Sequence, residues 1–136
     1  MRKPTFLTAL VLVALMAAVT APALATCGTG SQNPSYTVMV CLSPDVVTVG
    51  QTETLMESAR NNTSTYKRVL VTETVTLPSG RQFTKSFYAV LAPMKTYSFT
   101  ASYQINEYFP KGTYSVTLSV ADQAGASSAT GSFTVN

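Results

Sequence analysis

The stretch Tyr97-Ser98-Phe99-Thr100-Ala101-Ser102-Tyr103-Gln104-Ile105 decides the fold class. Its apolar side chains occupy every second position, Tyr97, Phe99, Ala101, Tyr103 and Ile105, with Ser98, Thr100, Ser102 and Gln104 between them. Successive side chains of a β-strand point to opposite faces, so this period of two describes a strand with one face on a core and one in water. Tyr114, Val116, Leu118 and Val120 repeat the pattern, with Ser115, Thr117 and Ser119 facing away. Beyond residue 25 no segment keeps a 3.6-residue apolar period for long. One-sided strands of this kind form antiparallel sheets that pack on one another.

Working outward, strands are expected near 35–42, 46–59, 65–77, 81–91, 95–105, 112–121 and 128–135. They are punctuated by Pro44-Asp45, Asn61-Asn62, Pro78-Ser79-Gly80, Ala92-Pro93, Pro110-Lys111-Gly112 and Asp122 to Gly125. About seven strands in about 100 residues is the size of an immunoglobulin-like sandwich, and a closed barrel of similar strand number is the alternative. One hairpin can be registered: Pro78-Ser79-Gly80 suits a three-residue loop with Gly in the left-handed conformation. Pairing Leu77 with Arg81 then sets Val75 opposite Phe83, Glu73 opposite Lys85, Val71 opposite Phe87 and Val69 opposite Ala89. A shift of one residue would destroy this match of apolar sets. Glu73 and Lys85 are expected to form a cross-strand ion pair. The stretch from Gln51 to Ala59 resists such treatment: Val47, Val49 and Leu55 prefer one face and Thr54 and Met56 the other, which implies a bulge or a slip of face within it.

The 136 residues carry nine Lys/Arg against six Asp/Glu, a formal net charge of +3, and contain two Cys and no His. Without His there is no Ser-His-Asp or Cys-His nucleophile and no imidazole general base. Two of the nine cations, Arg2 and Lys3, precede an apolar run from Phe6 to Val19 and the triplet Ala23-Leu24-Ala25. A basic start, a short apolar stretch and an Ala-x-Ala end describe a secretory signal peptide, residues 1–25, rather than a membrane span of about 20 residues. Its removal leaves seven cations against six anions, a net +1. Two Cys in an exported chain imply one disulfide, Cys27–Cys41, closing a loop of about 15 residues and stabilising by up to about 3 kcal/mol. It would fasten an N-terminal arm, residues 26–34, to the sandwich domain, residues 35–136. The alternative is a lipoprotein signal at Leu24-Ala25-Thr26-Cys27, with a lipid anchor on Cys27.

Two segments add a resemblance. Val47-Thr48-Val49-Gly50-Gln51-Thr52, and Pro110-Lys111-Gly112-Thr113-Tyr114 continuing through Val120-Ala121-Asp122 to Gly125 and the final Phe133 to Val135, resemble immunoglobulin-like (fibronectin type III-like) domains of exported bacterial proteins. The resemblance covers roughly residues 43–136. It implies a buried Tyr at the start of the penultimate strand, at Tyr114, and an architecture that serves adhesins, polymer-binding modules, chaperones and spacers alike. Neither Cys lies on the central strands and there is no core Trp, unlike antibody domains.

Candidate sites are few. Glu53 and Glu57 share a strand face but stand about 13 Å apart along it, beyond the roughly 5–9.5 Å of a glycosidase pair, and are expected to be solvated. Asp45 and Asp122 sit beside turns and are expected to cap them, since calcium asks for six to eight oxygens. Arg60, Lys67, Arg68, Arg81, Lys85, Lys95 and Lys111 are dispersed over strands and loops, which argues against nucleic acid. Asn61-Asn62-Thr63-Ser64 holds two overlapping glycosylation sequons in a polar loop. Tyr108 and Phe109, adjacent aromatics before Pro110, form a possible partner-binding loop, unless one of them closes the end of the sandwich.

The sequence therefore describes an exported, secreted or periplasmic, all-β immunoglobulin-like module with no catalytic, cofactor-binding or metal-ligating set. It is expected to bind an unknown protein or surface polymer at the cell envelope, through an exposed sheet edge that also permits self-association, or through its end loops. The alternative function is that of a small exported inhibitor or carbohydrate-binding module using loops near 60–65 and 106–111.

Overall fold

A computed structural model describes residues 25–136. The signal peptide expected over residues 1–25 lies, but for its last residue, outside the described residues. Among the described residues nine strands run in chain order: β1 Thr26–Gly30, β2 Tyr36–Ser43, β3 Val46–Val47, β4 Thr52–Asn61, β5 Lys67–Thr76, β6 Gln82–Leu91, β7 Thr96–Gln104, β8 Gly112–Asp122 and β9 Gly125–Val135. They form two sheets, β1-β2-β4-β7 and β3-β9-β8-β5-β6. All pairings are antiparallel except the short β3–β9 contact. The result is an immunoglobulin-like sandwich. A closed barrel is excluded, because β6 and β7 end separate sheets with no ladder between them.

The core lies between the sheets and is built from the alternating faces that the sequence displays. Tyr36, Val38, Val40 and Leu42 of β2 meet Tyr114, Val116, Leu118 and Val120 of β8, all buried. The expected hairpin is present in its expected register, with Val75↔Phe83, Glu73↔Lys85, Val71↔Phe87 and Val69↔Ala89. Leu77 N–H donates to Arg81 O at 2.9 Å, Gly80 N–H to Leu77 O at 2.9 Å, and Gly80 has φ +86°. That left-handed turn is open to Gly and strained for residues with a Cβ.

Three expectations are corrected. The strand expected over 46–59 is two strands in different sheets: β3 pairs with β9, and β4 with β2 and β7. The chain changes sheet at a turn where Gln51 N–H donates to Thr48 O (3.1 Å) and Thr48 N–H to Gln51 Oε1 (2.8 Å). This break explains the clash of faces that suggested a bulge. Within β4 the register is continuous, and Glu53, Leu55, Glu57, Ala59 and Asn61 all point inward and are buried. The expected solvation of Glu53 and Glu57 is thereby overturned. The ion pair between Glu73 and Lys85 is also not closed: the two are register partners, but among the described residues no ion contact joins them.

The arm of residues 26–34 is more than a tether. Its first half is β1, paired with β2 from Thr26↔Leu42 to Gly30↔Val38, and Cys27 and Cys41 are directly opposite and disulfide-bonded. Gly28 and Gly30 lie so close to β9 that a Cβ on either would collide with the carbonyl oxygens of Thr130 and Ser128. Gln32 then clamps the β9 backbone, accepting from Ser128 N–H (2.9 Å) and donating to Ser128 O (3.2 Å). Further on, Asn33 donates to Asp122 Oδ1 (3.1 Å), Tyr36 OH to Asp122 Oδ2 (2.7 Å), and the Asn33 amide to the buried Ser127 Oγ (3.0 Å). The arm thus seals one side of the sandwich.

Candidate functional site

The opposite side is open. There β6 and β7, the free edges of the two sheets, face each other across a gap that neither side chain set fills. Phe83 and Phe87 of β6, and Tyr97, Phe99 and Tyr103 of β7, share the inward parity of their strands yet remain between 44% and 58% exposed. In a finished sandwich such residues would be core. This row of half-exposed apolar side chains makes the β6/β7 side the candidate contact surface.

Beneath these aromatics lie two cavities. One, of about 290 Å³, is lined by Glu57, Glu73, Lys85, Phe87, Tyr97 and Phe99 with Ala59, Val71 and Leu118. The other, of about 200 Å³, is lined by Glu53, Glu73, Tyr103, Ile105 and Phe109, with Val75, Tyr114 and Phe133 among the apolar remainder. Glu73 faces both. Glu53 is only 1% exposed and, among the described residues, neither of its carboxylate oxygens has a hydrogen-bond partner; Glu57 is 6% exposed and its Oε1 has none there either. Buried polar groups without partners are uncommon in folded proteins, and each calls for a reason.

The electrostatics follow from that burial. Loss of hydration pushes the Glu53 carboxyl up to about 7, with the charge of Asp45 adding to the effect and the Ser43 amide offsetting part of it from outside hydrogen-bonding geometry. Loss of hydration likewise pushes Glu57 up to about 7, with Glu73 adding a like charge. Burial, then the charges of Glu73 and Glu57, also raise the Tyr103 hydroxyl. Near neutral pH the cleft therefore holds carboxyls balanced between their two states, in surroundings that would strengthen any bond to a cation. Among the described residues no three His, Cys, Asp or Glu side chains come close enough to hold a metal ion together.

The other singled-out residues fall elsewhere. Tyr114 is buried, stacks on Phe133 with ring centres 4.9 Å apart, and donates its hydroxyl to Pro110 O at 2.7 Å, the Tyr corner of immunoglobulin-like folds. Phe109 packs on Tyr114 at 6.4 Å and closes the end of the sandwich, whereas Tyr108 is 83% exposed. Asp122 caps its turn through Ala124 N–H (2.8 Å) and also accepts from Tyr36 and Asn33; the Tyr36 bond first of all holds its carboxyl below the usual range. Asn61 is fully buried, and its amide donates to Thr65 O and Leu91 O while its carbonyl accepts twice from Thr63. That sequon is a loop-building device, closed to a glycosylating enzyme in the folded protein. Sequence reasoning missed the inward turn of Glu53 and Glu57; their shared parity with Leu55 was the available signal.

Comparison with known structures defines the class, an immunoglobulin-like β-sandwich. The CARDB domain of a Pyrococcus furiosus protein, solved in complex with di-metal ions, is similar at a TM-score of 0.50 and 16% identity, over 82% of this chain and 91% of that one. A solution structure of the same domain gives a TM-score of 0.50 over 84% and 97% of the two chains. The Pseudomonas fluorescens alkylpurine DNA glycosylase bound to DNA containing an abasic-site analogue matches at a TM-score of 0.51 and 15% identity, over 91% of this chain; the match spans a third (33%) of the glycosylase chain. At these identities the likeness is one of fold. No protein-family model matches the chain, and no curated protein matches it in sequence.

Proposed function

We propose that this protein is an exported, non-catalytic immunoglobulin-like module that works by protein binding or structural association at the cell envelope, and that it makes contact through its open β6/β7 side. The carrying observation is the row of half-exposed, inward-pointing aromatics on two strands whose outer backbones are unpaired. Free edges flanking an apolar groove suit the addition of a strand from a partner, with main-chain hydrogen bonds for affinity and side-chain pockets for specificity. The Cys27–Cys41 disulfide supports an oxidising, extracytoplasmic location, in keeping with the basic and apolar start of the chain. No helix among the described residues is long and apolar enough to cross a membrane.

Three carboxylates around one cleft raise the question of acid–base chemistry. Two considerations favour binding: Glu53 and Glu57 lack the hydrogen bonds that would orient catalytic carboxyls, and the two cavities, about 290 and 200 Å³, lie at or under the lower end of the roughly 300–1,000 Å³ of small-molecule sites. They are of a size to receive side chains. A loop-based inhibitor or carbohydrate-binding role keeps one favourable observation, the exposed Tyr108 beside a shallow hollow with Val49 and Asn106.

The test is capture from native envelope or culture medium with wild-type protein, Phe87→Asp/Phe99→Asp and Tyr108→Ala. Loss of the partner in the first variant alone, with thermal stability retained, supports the edge reading. Loss in Tyr108→Ala alone transfers the contact to the loops.

A further inference from the structure

Resting on that reading, we infer that the β6/β7 cleft is built for one kind of segment: an extended strand of a partner protein carrying two basic side chains four residues apart with an apolar residue midway between them. Three observations converge on it.

The first is charge. Glu53, Glu57 and Glu73 line the two cavities with one cation, Lys85, so the fully ionised lining carries two uncompensated negative charges, while the Arg81 guanidinium lies outside it over the Phe83 ring, 4.9 Å from its centre. Glu53 and Glu57 are buried by more than nine-tenths, line the cavities, and have unpartnered oxygens. Removing one partner of a buried ion pair costs several kcal/mol, and a counter-charge in good hydrogen-bonding geometry offsets part of the cost of a buried charge. An incoming cation would supply the missing partner.

Spacing is the second. On β4 the residues Glu53, Leu55 and Glu57 lie in register with Tyr103, Ala101 and Phe99 of β7. A strand added to the free edge of β7 continues that register, because side chains two apart share a face. Its inward positions i, i+2 and i+4 fall in the rows of the two carboxylates and of the Leu55–Ala101 pair between them. A basic side chain in either outer row lies two strand spacings, about 10 Å, from the Glu backbone, a gap that a lysine or arginine stem and a glutamate side chain span together. The small Ala101 leaves space in the middle row for an apolar side chain.

Third, the intervening surface suits such stems. The path from the edge to each carboxylate crosses Phe99 or Tyr103, both about half exposed. Long basic side chains lie their methylenes along apolar surface and favour aromatic faces for their charged heads.

The experiment uses the disulfide-bonded protein and capped synthetic peptides of the form Thr-Lys-Thr-Val-Thr-Lys-Thr, the same peptide with norleucine for both Lys, and hexylammonium alone. Binding is measured by calorimetry and by amide exchange of β6 and β7 at pH 8. The expected result is that the Lys peptide binds at least tenfold more tightly than the norleucine peptide and protects the β7 edge. Glu53→Gln/Glu57→Gln should erase that preference while retaining the norleucine peptide; these variants remove buried charge, so folding is not at risk. Equal or tighter binding of the norleucine peptide overturns the cation inference and leaves strand addition standing. Binding of hexylammonium as tight as that of the peptide overturns the strand, assigning the cleft to free amphiphilic amines. Failure of both peptides to bind or to protect either edge overturns this inference together with the edge reading beneath it.

Discussion

A carboxyl raised to about 7 in the folded protein but titrating near 4.5 when unfolded keeps its proton in the native state while the unfolded chain has lost it. Stability therefore falls as pH rises from about 4.5 through 7 and levels off above, with Glu53 and Glu57 each contributing at most about 3 kcal/mol. Asp122 acts in the opposite sense: its carboxyl is depressed, chiefly by Tyr36, so its contribution is present above the ordinary Asp value near 3.8 and is lost as pH falls through its folded value. Thermal melts should show greatest stability near pH 4–4.5, and Glu53→Gln or Glu57→Gln should raise Tm at pH 8 by at least about 5 °C while leaving it nearly unchanged at pH 4.5. A pH-independent wild-type Tm across 4.5–8 would contradict the burial of both groups. Phe109→Ala should cost about 2 kcal/mol, because its ring fills the end of the core, whereas Tyr108→Ala should stay within about 0.5 kcal/mol. Tyr114→Phe should cost about 1 kcal/mol by leaving Pro110 O without its donor; denaturant titrations distinguish all three. Tyr114 was legible from the sequence because its strand alternates cleanly. Glu53 and Glu57 were not, because the single large aliphatic on their face, Leu55, was offset by Met56 on the other.

Among the elements, β1 is where local pattern said least and contacts say most. A Thr-Cys-Gly-Thr-Gly segment has poor strand propensity, yet it pairs fully with β2 because its glycines permit an approach to β9 that any Cβ would block. Gly28→Ala and Gly30→Ala should each lift β1 from β9, seen as accelerated amide exchange over residues 26–30 with β8 and β5 unaffected. Removing the disulfide as Cys27→Ser/Cys41→Ser should lower stability by about 2–3 kcal/mol, measured by denaturant unfolding. The pairing of the two Cys was one of two readings that their number and the expected export allowed, and the β5–β6 hairpin was readable from its turn residues and matched apolar sets. The division of 46–59 between two sheets was not, since either half reads as strand and only its hydrogen-bond partners tell which sheet it joins.

At the scale of the molecule the sandwich is asymmetric: sealed along β1 and β9 by glycine contacts and the Gln32 clamp, open along β6 and β7 where aromatics stay half exposed. Edge strands left unpaired and apolar are sites of association. Sedimentation should accordingly show reversible self-association as concentration rises, weakened by Phe87→Asp/Phe99→Asp; a strict monomer at millimolar concentration would mean that the cleft is reserved for a different partner. The sequence by itself determined the fold class and most of the core, because two-residue alternation and turn chemistry are local properties written along the chain. Only the tertiary structure decided that one side is closed and the other open, and that Glu73 of β5 joins Glu53 and Glu57 of β4 along one cleft. Those outcomes depend on which edges remain unpaired and which faces meet across the sandwich, a matter of register between strands far apart in sequence.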